Sequence, residues 1–189
     1  MNELAHHLDQ ERRKLRRAAL LALLYQAFPR PMGFGLLAQS LPEDVSCAAS
    51  VLDLDLDYLA KSGLIETRQR PDGGASQHRI TAAGCDRVES GSGWDDAARR
   101  AVRMLRLRVL EILHYGRPRP VGIPLLRRAL SEDQDLDLSE ESLNRATAYL
   151  ALLDLSDRDA AGMSTITPQG QDYLAGEGEE LPGVARPRW

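Results

Sequence analysis

Aromatic residues are scarce, at 5% of the 189-residue sequence, so leucine, alanine and valine must fill any core. Cysteine is nearly absent. Cys47 and Cys85 stand alone, with no CxxC and no paired histidine, which excludes a disulfide scaffold and a thiolate metal site. His6, His7, His78 and His114 are too scattered to complete a ligand set. The longest apolar run, "AALLALLYQAF" at 18–28, is far shorter than a bilayer crossing requires. The N-terminal "MNELAHHLDQERRK" has neither the apolar stretch nor the small-residue cleavage site of a signal peptide. The expectation is a cytoplasmic protein with no membrane partner.

Catalytic signatures are missing too. "PMGFG" at 32–35 and its preceding proline has no following Lys-Ser/Thr and no preceding strand, so it is no phosphate loop. No serine, histidine and aspartate fall in a nucleophile motif. Asp53, Asp55 and Asp57 resemble a calcium-loop fragment, but lack the glycine and closing glutamate at the required spacing. These absences predict a non-enzymatic protein without cofactor or metal.

What is present is a repeat. "PRPMGFGLLAQSL" (29–41) returns as "PRPVGIPLLRRAL" (118–130), 89 residues later. Upstream, "LLALLYQ" (20–26) matches "VLEILHY" (109–115) at the same offset. "YLAKSGLIETR" (58–68) matches "YLALLDLSDRD" (149–159) at 91, and "ITAAGCDRV" (80–88) matches "ITPQGQDYL" (166–174) at 86. Drifting offsets mean insertions in loops between elements kept in order. The expected organisation is a first domain over 1–88, a Gly/Ser-rich linker over 89–96, a second domain over 97–176 and a tail over 177–189.

Within the second copy, Val102, Leu105, Val109, Ile112 and Leu113 form one helical stripe, with Arg99, Arg103 and Arg106 on another face. That helix should end near Gly116, before Pro118. A short helix follows with Leu125, Leu126, Ala129 and Leu130. Ser139 caps a third, with Glu140 and Glu141 in its first turn and Leu143, Ala146, Tyr149, Leu150 and Leu153 inward. In the first copy the third helix should start near Ser46, carry Val51, Leu52, Leu54 and Leu59 inward and stop at Ser62-Gly63. A hairpin over 64–81 turns at "PDGG", with a shorter counterpart over 155–167, and a short helix follows each.

Three helices, a hairpin and a short helix make the order of a winged helix-turn-helix domain. The fold class expected is mainly α with small β-hairpin wings, in two tandem winged-helix domains. From "LRVLEILHYG" to the tail "GEGEELPGVARPRW", the second copy resembles the small winged-helix proteins of Mu-like bacteriophages and prophages. There a single unit ends in a similar "GxxxxPGVxRP". The resemblance implies a phage-type protein, labelled regulator-like from its fold.

Charge placement argues against DNA readout by the third helix. That helix should meet a polyanion with cations, yet the first copy offers Asp53, Asp55 and Asp57 against Lys61, and the second Glu140, Glu141 and Asp154 against Arg145. Net charge is −4. The cations crowd the first helices, "ERRKLRR" and "RRAVRMLRLR", and the first wing. Two readings follow. In one, the protein is an interaction module for self-association or for another phage protein, with Leu54, Leu56, Asp53, Asp55 and Asp57 as a partly apolar surface. In the other, double-stranded DNA is held by Arg68, Arg70, Arg79, Arg99, Arg103 and Arg106 on phosphates. Trp94 is expected to pack at the domain junction and Trp189 to be loose.

Overall fold

The computed structural model describes residues 2–187 apart from 70–73, 92 and 134, with side chains from residue 7 onward. The chain divides into two units, Met1–Val88 and Glu89–Trp189. In the first, leucines and aromatics at helical spacing (Leu20, Leu21, Leu24, Tyr25) give α1 (Asn2–Ala27) its buried stripe. Then come β1 (Met32–Gly33), α2 (Phe34–Ser40), a 3-10 turn (Glu43–Val45), α3 (Ala49–Lys61), β2 (Ile65–Arg68), β3 (Gln77–Ile80) and α4 (Ala82–Glu89). The second unit runs α5 (Asp96–Gly116), α6 (Ile123–Ala129), α7 (Glu140–Leu152), β4 (Ser156–Arg158), β5 (Ser164–Ile166) and α8 (Pro168–Leu174). Both units are mainly α with small antiparallel sheets, in winged-helix order.

The duplication extends from sequence to geometry. α2 and α6 have the same length at an offset of 89, and α3 and α7 at 91. Phe28-Pro29 and Arg117-Pro118 are both cis. β1 was not expected. The residue before a proline and the proline itself favour extended backbone, and Met32 and Gly33 emerge extended beside His78 and Gln77 to make a three-stranded sheet. The second unit keeps one bridge of this pairing, Val121 to Ser164.

The motif Ile-Thr-x-x-Gly closes each wing for a physical reason. Thr81 donates its backbone N–H to Leu64 O at 3.1 Å and its hydroxyl to Gly63 O at 2.7 Å, and it accepts from Gly84 N at 3.1 Å. Thr167 repeats the set on Leu155, Asp154 and Gly170 at 3.2, 2.6 and 3.1 Å. One threonine thus pins the wing and caps the last helix. A Cβ at Gly84 or Gly170 would collide with the carbonyl of Leu64 or Leu155, so only glycine lets that helix approach. Gly63 turns the chain after α3 at φ +71°, and its counterpart Asp154 adopts φ +57°, a conformation costly for a residue with a Cβ.

Several expectations shift. The third helix of the first unit starts at Ala49, not near Ser46, because Ser46 turns its hydroxyl back onto Glu43 O at 2.9 Å, closing the 3-10 turn. Leu54 faces outward rather than inward, and Val51 is half-buried. Ser139 does cap α7, accepting from Ser142 N. Asp95 caps α5 and Asp96 is already helical, so the connection is shorter than 89–96. Residues 181–187, expected as a tail, carry the fully buried Val184. The apex of the "PDGG" turn and Trp189 lie outside the described residues.

Replacing Gly170 with alanine should lower the urea unfolding free energy by about 1–3 kcal/mol through overpacking against a backbone carbonyl. Asp154→Gly should raise it by up to about 1 kcal/mol.

Candidate interaction surfaces

α3 divides sharply around its axis. Leu52, Asp55, Leu56 and Leu59 are buried. Asp53, Leu54, Asp57, Tyr58 and Lys61 are exposed, Leu54 at 68% and Tyr58 at 49%. The alternating Asp-Leu run reads as period two, but at 100° per residue it scatters around the helix. This overturns part of the expected surface. Leu56, 1% exposed, is core, and Asp55, 2% exposed, is interior. Asp53, Leu54 and Asp57 remain on the outer face. Lys61 is held by Asp57 at 2.6 Å, so the one cation of this face is neutralised.

Asp55 is buried because two arginines of α1 reach it. Arg16 Nε donates to Oδ2 at 2.5 Å and Arg17 Nε to Oδ1 at 2.7 Å. The Arg17 guanidinium also lies over the Tyr58 ring, 3.6 Å from its centroid. Part of the arginine run expected on a solvated or phosphate-tracking face is therefore interior. The second unit solves the same position differently: the counterparts of Arg16 and Asp55 are Leu105 and Ala146, both buried.

The candidate phosphate contacts do not form one group. Arg106 is 2% exposed, which removes it from any phosphate surface. It makes a two-point ion pair with Glu89, stacks 3.5 Å over the Tyr149 ring and donates to Gly183 O at 2.9 Å. Its apolar neighbours Leu105, Leu107, Val109 and Leu110 are all buried, so the chain can admit the charge only with such partners. Arg79 is paired with Glu66 at 3.0 Å. Arg99 donates to Trp94 O at 2.7 Å. Arg103 is half-buried. Arg68 is exposed, 3.5 Å from Glu66, and Arg70 lies outside the described residues.

His78, on β3, is buried. Its Nδ1 meets the Thr67 hydroxyl at 3.1 Å, and its Nε2 has no partner among the described residues. Burial pushes its pKa below the ordinary histidine value, against the opposing pull of Asp53.

The segment after α8 was missed as structure. Val184 and Ala185 carbonyls accept from Tyr173 Oη at 3.2 and 3.3 Å, and Ala185 N donates to Arg103 O at 3.1 Å. Together with the Arg106 bond to Gly183, these lay 183–185 across α5 as a strap. The Leu-Pro-Gly-Val spelling was the available signal: an apolar pair around a Pro-Gly, between acidic residues before it and arginines after it. A shallow pocket of about 220 Å³ is lined by Glu111, His114, Tyr115, Gln171, Leu174 and Ala175. Among the described residues, no group of three histidine, cysteine or acidic side chains is placed to hold a metal ion. No described helix is long and apolar enough to cross a membrane. No family model, curated protein or solved structure matches the chain.

Asp55→Ala should cost about 3–5 kcal/mol by stranding buried arginine charge, whereas Arg16→Leu with Asp55→Ala, the pair used by the second unit, should recover most of it in urea melts. For His78 the folded pKa lies below the unfolded one. Its contribution is present above about pH 6.5 and lost as pH falls through the folded value, because the unfolded chain then binds the extra proton. The loss of unfolding free energy between pH 7.5 and 5.5 should therefore be smaller in His78→Gln than in the parent.

Proposed function

We propose that this chain is a non-enzymatic protein-interaction module of phage or prophage type, built on two winged-helix units and working in the cytoplasm. Its docking face is the outer side of α3, and its partners are proteins: a second copy or another phage protein. The observation that carries this reading is the composition of that face, with Asp53, Leu54, Asp57 and Tyr58 exposed and its single lysine tied to Asp57. Such a helix is repelled by phosphates and offers a protein an apolar contact with an acidic border.

A second reading, a DNA-binding regulator, is favoured by Arg68, exposed at the end of β2 in the first wing. There the wing and first-helix arginines would hold phosphates without a reading helix. The engagement of Arg16, Arg17, Arg79 and Arg106 with carboxylates takes four arginines from that reading.

Fluorescence anisotropy with a mixed-sequence duplex at moderate salt separates the two. The interaction reading expects no saturable binding at micromolar protein. Submicromolar binding that weakens steeply with salt and is lost in Arg68→Ala with Arg70→Ala would replace it with the regulator.

A further inference from the structure

The two units carry the same arginine-on-tyrosine pair in register. Arg17 and Arg106 are 89 apart, Tyr58 and Tyr149 are 91 apart, and each guanidinium stacks on its ring, at 3.6 and 3.5 Å. What lies over the pair differs. In the second unit Tyr149 is fully buried and Arg106 donates to the strap carbonyl of Gly183, next to the fully buried Val184. In the first unit Tyr58 is half exposed, and beside it Leu54 is exposed at 68%. Topology gives the reason. After α8 the chain is free to fold back as a strap, whereas after α4 the corresponding residues run on to Asp95, the cap of α5.

We propose that Arg17 and Tyr58 form the floor of a docking site for an extended Leu-Pro-Gly-Val-type segment of a different polypeptide, matching the strap whose Gly183 carbonyl Arg106 holds in the second unit. This rests on the protein-interaction reading above and names its occupant. The chemistry follows from the occupied copy. The arginine supplies a donor for the main-chain carbonyl of Gly183, and the branched side chain that follows, Val184, is fully buried. Glu177, Glu179 and Glu180 precede the strap and Arg186 follows it; on α1 of the first unit Arg12 is exposed, while Arg13 and Lys14 are paired with Asp9 and Glu11 at 2.9 and 2.8 Å. A second copy is the weaker occupant, since its own strap is already buried at Val184.

The test uses the full chain and a fluorescein-labelled peptide of residues 176–189, "GEGEELPGVARPRW". Anisotropy should show saturable micromolar binding. Tyr58→Ala should weaken it about tenfold or more, and so should Val184→Asp in the peptide. Tyr58 is half exposed, and an unchanged melting curve confirms that the variant folds. No binding at about 0.5 mM protein, weaker than specific peptide recognition requires, overturns the proposal. So does binding indifferent to Tyr58→Ala, which would mean exchange with the second unit's strap. Concentration-dependent dimerisation in sedimentation, lost in Tyr58→Ala, would assign the site to a second copy instead. These outcomes are independent of the duplex assay, so the interaction reading can survive their failure.

Discussion

A guanidinium lying over a tyrosine ring joins the first helix to the third in each unit, and much of the local electrostatics follows from it. The stack needs the arginine to leave water, and a buried or half-buried guanidinium must then satisfy its remaining N–H groups. In the first unit Asp55 meets that demand, with Arg16 sharing the same carboxylate. In the second, Glu89 and the Gly183 carbonyl do. The acidic residue and the strap carbonyl are the two ways the units complete one arginine.

The same constraint takes Arg16, Arg17 and Arg106 out of the cationic surface of this strongly charged chain. Counting arginines on a helical wheel makes both first helices look like phosphate tracks. Several of those arginines are internal partners of the acidic segments that also seemed exposed. Charge segregation along the sequence becomes charge pairing within a fold, because the basic first helix and the acidic third helix of the first unit are packed neighbours.

Much of the fold was legible because its signals are local. Ser139 as a cap, the glycines of Ile-Thr-x-x-Gly and the leucine spacing of α6 each depend on residues within a few positions, and the two-fold repetition reads each of them twice. The site was less legible because burial of a charge is decided by a partner far along the chain. Asp55 lies 39 residues from Arg16, and Gly183 lies 77 from Arg106. Period-two spacing therefore grouped Asp53, Asp55 and Asp57, whereas the helix sends the middle one inward. The strand at Met32–Gly33 was hidden for a similar reason: two residues have no periodicity, and their pairing with β3 is non-local.

Comparing the repeats does what a single copy cannot. Leu105 and Ala146 occupy the positions of Arg16 and Asp55, so an apolar contact and an ion pair serve one packing geometry, as expected when both partners change together. That equivalence sets a standard for the exposed pair. Arg17 and Tyr58 keep the same stacking, with Asp55 completing the arginine from within the unit, and what differs is the exposure of Tyr58 and Leu54. A residue preserved only for packing would carry its cover with it, as Tyr149 does. The first unit keeps the stack while its chain runs on into α5, whereas the second unit's chain returns as the strap.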